Sequence, residues 1–294
     1  MYELNVLGAI PKPVDRDTMN SVLHQYKPQY VKYYHNSEYV LSAEDVYKAI
    51  VDDYIQPYYQ PKVNTHDKSV HSVEILARLI HPKHGVISPV SFIPIAEKHN
   101  LIDLLTDKIL TVACRDLVEW RKSNYDFALS LNLSAKSLTE VVLPEKLESR
   151  VCGAGLKCED VIIEITESHF MQNLTSALDI LTRLCLKGFT ISLDDFGTGY
   201  SSMEQIKNLP LSEIKIDRAF VHTQKDDPAA LAILEFSASL AEKLGVSIVA
   251  EGVEEQQDWD RAVEHGCSLV QGYFIAKPMP ANAFTSWLKD NAPL

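Results

Sequence analysis

No run of about 18 apolar residues exists in this chain of 294, so nothing in it reads as a transmembrane helix. The first residues, Met1-Tyr2-Glu3-Leu4-Asn5, lack the basic and apolar regions of a signal peptide. Cations are scarce: 28 Lys and Arg against 40 Asp and Glu leave a net charge of −12. That balance disfavours a nucleic-acid polymer as partner, which would need clustered Lys and Arg against phosphates. A phosphate substrate must then be held locally, by metal ions or by a few placed cations. The five cysteines (Cys114, Cys152, Cys158, Cys185, Cys267) are odd in number and scattered, and Cys152 and Cys158 fit no paired zinc spacing. Free, mostly buried thiols in a reducing, cytoplasmic compartment are expected. The ten histidines form no HExxH or HxH pattern.

From Ser42 onward, strand-like and helix-like segments alternate. Ser42-Ala43-Glu44-Asp45 has capping-box spacing and opens a helix running through Asp53. Short apolar runs predict strands over Tyr58–Val63, Val70–Leu79, Phe127–Ser134, Val161–Thr166, Thr190–Phe196, Glu213–Asp217, Ser247–Val253 and Leu269–Ala276. Helical patterns lie between most of them, including Leu101–Arg121, Ser176–Leu186 and Ala229–Leu244. Strands alternating with helices imply a mostly parallel sheet, and eight units in about 250 residues point to a TIM-type (β/α)8 barrel. Gly188, Gly245 and Gly266 each fall just before a strand, where a helix C-cap belongs. An open doubly wound sheet is the alternative, but the glycine-rich phosphate loop that usually follows its first strand is missing.

Each predicted strand carries polar chemistry near its end. Glu74, with Arg78 beyond it, lies on the second, Asn132 on the third, Glu164 and Glu167 on or after the fourth, and Asp194 and Asp195 on the fifth. Lys215 and Asp217 follow on the sixth, Glu251 on the seventh and Gln271 on the eighth. In a barrel these ends converge on one face. Taken singly, any of them is explained as a helix cap. Glu164 in Val161-Ile162-Ile163-Glu164-Ile165-Thr166 and Glu251 in Ile248-Val249-Ala250-Glu251 are instead embedded in apolar strand sequence, where an unpaired carboxylate costs several kcal/mol. Asp194 and Asp195 point to opposite faces of a regular strand, so they share a site only if the backbone turns between them. An all-oxygen donor set of this kind suits hard divalent ions such as Mg²⁺ or Mn²⁺, and paired ions of that type serve phosphodiester hydrolysis.

With these motifs in order, the chain resembles the EAL-domain cyclic di-GMP phosphodiesterases from about Ser42 to the C-terminus. The signature stands as Glu74-Ile75-Leu76 with Arg78, preceded by Gln60-Pro61 and followed by Ser91-Phe92-Ile93-Pro94-Ile95-Ala96-Glu97. Then come Asn132-Leu133-Ser134, Glu164-Ile165-Thr166-Glu167, Asp194-Asp195-Phe196-Gly197-Thr198-Gly199-Tyr200-Ser201-Ser202, Lys215-Ile216-Asp217-Arg218, Glu251-Gly252-Val253-Glu254 and Gln271-Gly272-Tyr273. The resemblance implies a barrel modified at its first strand and hydrolysis of cyclic di-GMP to linear pGpG with two divalent metal ions. It implies Glu74, Asn132, Glu164, Asp194 and Asp195 as metal ligands, with Glu251 and Asp217 helping through water. Glu251 would be the general base, Lys215 would orient the attacking water, and Gln271 would sit near that network. Arg78 would clamp a phosphate and Gln60 would contact a guanine. Glu167 would tether the loop after Asp195, which also implies a homodimer through that loop. Two departures, Ile75 for alanine and Leu79 for a frequent tryptophan, touch no proposed ligand. Members that bind without hydrolysing usually lack an acidic residue or the lysine, and all are present here, which favours an enzyme over a silent cyclic di-GMP receptor. A two-metal phosphodiesterase for other nucleotides is the third reading.

Residues 1–41 form a leader or linker ahead of an EAL domain over 42–294. Val6 to Asp15, with the Lys12-Pro13 pair, and Met19 to Leu23 resemble the end of a response-regulator receiver domain. An ordinary proline-containing leader is the alternative.

Overall fold

The structure, a computed structural model, describes residues 41–167, 174–198, 206–222 and 227–291. The receiver-like segment lies outside the described residues, as do Gly199 to Ser202 of the loop motif. Ser42 caps helix α1 (Ala43–Val51) as its spacing predicts: its hydroxyl accepts from the Asp45 N–H at 3.1 Å, and the Asp45 carboxylate accepts from the Ser42 N–H at 2.9 Å.

The chain continues through β1 (Ile55–Asn64), β2 (Val70–His81), β3 (Gly85–Ile87), α2 (Pro89–Lys98), α3 (Ile102–Lys122), β4 (Ala128–Asn132) and α4 (Leu143–Gly153). Then follow β5 (Val161–Thr166), α5 (Leu174–Leu186), β6 (Thr190–Phe196), β7 (Glu213–Ile216), α6 (Arg218–Val221), α7 (Pro228–Leu244), β8 (Ser247–Ala250), α8 (Gln256–Glu264), β9 (Leu269–Val270), β10 (Met279–Pro280) and α9 (Ala281–Asn291). Strands pair in the order β1-β9-β8-β7-β6-β5-β4-β2, and pairing of β1 with β2 closes the ring. This is the expected α/β barrel of eight strands, with β3 and β10 as short additions.

Its modification at the first strand has a simple cause. Only the short segment from Thr65 to Ser69 joins β1 to β2, too little for a parallel crossover, so the two form a hairpin. β1 is therefore antiparallel to both neighbours, β2 and β9, while the remaining pairs around the ring are parallel. Alternation along β1 sends Tyr59 outward under α3 and α9. Its ring meets Trp120 edge-on at 4.8 Å between centroids, and Trp120 meets Phe284 at 5.0 Å. The phenol donates to Asp116 at 2.7 Å. Gln60 and Lys62 belong to the alternate, inward set, and both are buried.

Strands β5 and β6 match their predicted bounds. The last predicted strand does not: it stops at Val270, and the chain turns as the N–H groups of Ile275 and Ala276 both reach the Gly272 carbonyl at 3.1 Å. All five cysteines are free, three of them buried, as their spacing implied. Among the described residues no helix is long and apolar enough to cross a membrane.

Candidate active site

Register across the barrel lines up the polar residues at one level. Gln60 of β1 pairs with Glu74 of β2, Asn132 of β4 with Glu164 of β5, and Thr166 of β5 with Asp194 of β6. Glu251 follows β8 and Gln271 follows β9, and the Gln271 N–H donates to the Ala250 carbonyl at 2.9 Å. Strand direction and period-2 alternation thus bring residues from six separate segments to one cavity of about 270 Å³, bordered by Gln60, Glu74, Asp194, Lys215, Glu251 and Gln271.

Lys215 is the centre of the charge distribution. Its Nζ lies 2.6 Å from Glu251 Oε1, 2.9 Å from Glu164 Oε2, 3.2 Å from Asp194 Oδ1 and 3.8 Å from Glu74 Oε2. An ammonium has three protons, and three carboxylates stand within 3.2 Å. The lysine is buried at 1 % exposure; burial alone would lower its pKa, yet Glu164, Glu251, Glu74 and Asp194 raise it well above 10.5, so it stays charged.

The carboxylates respond differently to the same crowding. Burial, opposed by Lys215 and reinforced by Asp194 and Glu74, pushes the Glu251 carboxyl well up. Burial likewise raises Glu74 and Asp194 against the pull of Lys215. Glu164 goes the other way. Burial opposes its charge, but Lys215 and Lys62 together hold it down to about 2.

Amides finish the arrangement around Glu74. Asn132 Nδ2 donates to Oε1 at 2.8 Å and Gln271 Nε2 to Oε2 at 2.5 Å. Gln271 Nε2 also reaches Gln60 Oε1 at 3.2 Å, and Gln60 Nε2 donates to the Ala276 carbonyl at 3.0 Å. The turn required between Asp194 and Asp195 is present as a bulge within β6. Asp195 has φ +55°, the pairing with β7 shifts register between Leu193 and Phe196, and the Asp195 N–H donates to Asp194 Oδ1 at 2.9 Å. Asp194, Asp195 and Glu251 consequently offer oxygens within 4.8 Å of one another. With Glu74, Glu164 and the Asn132 amide, the donors are all oxygen, which fits hard divalent cations.

Three predicted residues stand apart from this cluster. Arg78 does not border the cavity; its Nη1 donates to the Ala77 carbonyl at 2.9 Å and its guanidinium lies 5.7 Å from the Tyr58 ring centre. Asp217 caps α6, accepting from the Ala219 N–H at 2.8 Å, so the capping reading describes its carboxylate here. Buried Glu167 accepts from the Gly197 N–H at 3.1 Å, a tether at the start of the loop after Asp195. Reading the sequence missed Lys62 and Glu213, although each lies two residues from a site residue, Gln60 or Lys215, and so on the same face of its strand. It also missed Arg218, which borders the cavity and pairs with Glu254 at 2.9 Å.

The family model described as EAL domain matches residues 43–278. The chain belongs to the EAL domain family. Among curated relatives of this EAL domain, the cyclic di-GMP phosphodiesterase RocR of Pseudomonas aeruginosa is 32 % identical over 97 % of the chain and 73 % of RocR. The oxygen sensor protein DosP of Escherichia coli is 35 % identical over 84 % of the chain, which spans only 31 % of DosP. Among solved structures, the PaMucR phosphodiesterase in complex with c-di-GMP superposes with a TM-score of 0.79 at 36 % identity, covering 82 % of this chain and 98 % of that one. An EAL domain protein from Listeria monocytogenes superposes at 0.74 with 26 % identity, over 85 % and 98 % of the two chains.

Proposed function

We propose that this EAL domain hydrolyses cyclic di-GMP to linear pGpG as a metal-dependent phosphodiesterase. The observation that carries the reading is the complete set of carboxylates, amides and lysine gathered around Lys215, in a chain related over 97 % of its length to a cyclic di-GMP phosphodiesterase. Glu74, Asn132, Glu164, Asp194 and Asp195 would hold two divalent ions, Mg²⁺ or Mn²⁺. When bound, such ions lower the pKa of a water and neutralise charge developing on the phosphoryl group.

The chain's own groups do the rest. Glu251, its basicity enhanced by burial among other carboxylates, accepts a proton from the attacking water. Lys215, 2.6 Å from Glu251, orients that water and offsets the charge moving onto the phosphate oxygens. A water O–P bond forms in line as the P–O3′ bond of the ribose breaks, and the departing 3′-oxygen takes a proton. Gln271 fixes Glu74 through its amide hydrogen bond. Asp217 acts through water and through the start of α6, which carries Arg218. Gln60 contacts a guanine, and Arg78 swings from the Ala77 carbonyl to clamp a phosphate in a forked geometry. A second cavity of about 270 Å³, walled by Ile75, Ile93, Leu105 and Leu131, shares Leu76 with the first and offers apolar surface for a purine.

Glu167 couples the loop after Asp195 to a homodimer contact. On this reading the protein acts in the cytoplasm, and residues 1–41 are the tail of a receiver domain or a leader. The RocR match covers 97 % of the chain and so reaches ahead of Ser42.

The test is incubation of the chain with cyclic di-GMP and Mg²⁺ or Mn²⁺, with products resolved by chromatography. Linear pGpG from the parent and little from Glu251→Ala is expected. Binding of the dinucleotide without product in either ion would replace the enzyme with a receptor.

A further inference from the structure

Below the level of the cavity, the barrel holds a second buried lysine. Lys62 has 0 % exposure and donates to Glu164 Oε1 at 2.9 Å and to Glu213 Oε1 at 2.8 Å. The Ser192 hydroxyl donates to the same Glu213 oxygen at 2.7 Å. Barrel interiors of this class are ordinarily filled with branched apolar side chains. A buried ion pair is seldom more stable than apolar residues of the same volume, because both charges lose their water. Stability therefore does not explain the pair, and its position beneath Glu164 does.

The two oxygens of Glu164 are divided between two lysines. Oε2 meets Lys215, which borders the cavity, at 2.9 Å, whereas Oε1 is held from below by Lys62. Besides helping to keep Glu164 charged, Lys62 fixes the orientation of its carboxylate through the 2.9 Å contact to Oε1, and Glu213 holds Lys62 in place at 2.8 Å. We propose that Lys62 selects which divalent cation the site accepts, by holding Oε1 of Glu164 from below, so that Oε2, the oxygen on the Lys215 side, is the one available to ligate. Mg²⁺ and similarly small ions take near-ideal octahedra with one oxygen from each carboxylate; Ca²⁺ takes about six to eight oxygens and often both from one carboxylate. A Glu164 confined to one oxygen favours the former. Lys62 is thus a positioning residue for a ligand, and Glu213 and Ser192 position Lys62. The inference rests on Glu164 being a cation ligand, as argued above.

Mn²⁺ binding to the full chain, read from loss of the free-ion electron paramagnetic resonance signal, followed by displacement with Ca²⁺, tests it without turnover. The decisive variant is Lys62→Met/Glu213→Met, which removes one charge of each sign. It should compete for Ca²⁺ relative to Mn²⁺ roughly tenfold better than the parent. Lys62→Gln, one atom shorter and uncharged but still a donor, should move the ratio the same way by about threefold, and it serves if the double variant does not fold. An unchanged Ca²⁺/Mn²⁺ ratio in either folded variant overturns the selectivity role. Failure of the parent to bind Mn²⁺ at all would instead remove the metal-dependent reading itself.

Discussion

Lys215 Nζ and Glu251 Oε1 lie 2.6 Å apart, the closest contact that the buried ammonium makes. The lysine thereby links the proposed base to Glu164, Asp194 and Glu74 at once. Lys215→Met should leave those carboxylates facing one another and cost about 3–5 kcal/mol in the absence of divalent ions. Mn²⁺ should recover much of that loss while turnover stays abolished. Thermal melts with and without Mn²⁺ provide the check, and a variant as stable as the parent without ions would contradict it.

Stability should depend on pH in a way that divalent ions reverse. Glu251 has an ordinary value of 4.5, and burial pushes it well above that in the folded protein. Between 4.5 and the folded value the native state holds more protons than the unfolded one, so ion-free stability falls as pH rises through that window. Glu74 and Asp194, also raised by burial, act in the same direction. Glu164, held at about 2, contributes stability that is present above 4.5 and lost as pH falls toward about 2. Because Mn²⁺ competes with protons on the raised carboxylates, its stabilising increment should grow from about pH 5 to about pH 8. Melting temperatures with and without Mn²⁺ across that range measure it; a constant increment would count against the site.

Glu167→Ala removes no proposed ligand but releases the Gly197 N–H that it accepts at 3.1 Å. The Mn²⁺ concentration giving half-maximal hydrolysis should rise by roughly tenfold, with faster amide exchange at Gly197. Unaltered metal dependence would leave Glu167 a purely structural residue.

Two glycines near the mouth should both resist substitution. At Gly252 (φ +64°), an added Cβ would lie 2.3 Å from Cγ and 2.5 Å from Cβ of Arg218, and Cβ moves only with the backbone of α6. At Gly272 it would lie 2.1 Å from the Val253 carbonyl oxygen, which cannot move without shifting the turn behind Gln271. Gly252→Ala and Gly272→Ala should therefore both lower the melting temperature and activity, and the left-handed backbone at Gly252 adds about 1–2 kcal/mol to its cost. Melting of Gly272→Ala like the parent would mean that the turn is softer than its hydrogen bonds imply.

Arg218, 55 % exposed over its side chain and steadied by Glu254, is a cation at the mouth of the cavity, where the proposed anionic dinucleotide would enter. Arg218→Met should raise KM for cyclic di-GMP about tenfold with kcat changed much less, since the contact is made equally in ground and transition states. A fall confined to kcat would place it instead at the reacting phosphate.

Much of this was legible in the chain because the informative signals are local. The capping box at Ser42, the strands Val161–Thr166 and Thr190–Phe196, and the left-handed Gly245 closing α7 follow from short-range chemistry that neighbours in sequence settle among themselves. The order of polar residues at strand ends, from Glu74 to Gln271, was equally visible, and so was the need for a turn between Asp194 and Asp195. The shortened β9 was not, because the turn after Val270 is held by contacts of Gly272 and Val253 across the mouth.

By itself, the sequence determined which segments form strands, the alternation of faces along them, and that their ends carry an oxygen-rich set suited to hard cations. Tertiary structure alone decided that β1 closes the ring against β2, that Lys215 meets three carboxylates within 3.2 Å while Arg78 and Asp217 bond elsewhere, and that Lys62 holds the underside of Glu164. The reason is the reach of each interaction. Alternation and capping act over two to four residues, whereas register and ring closure join residues far apart in the chain, 102 positions for Lys62 and Glu164.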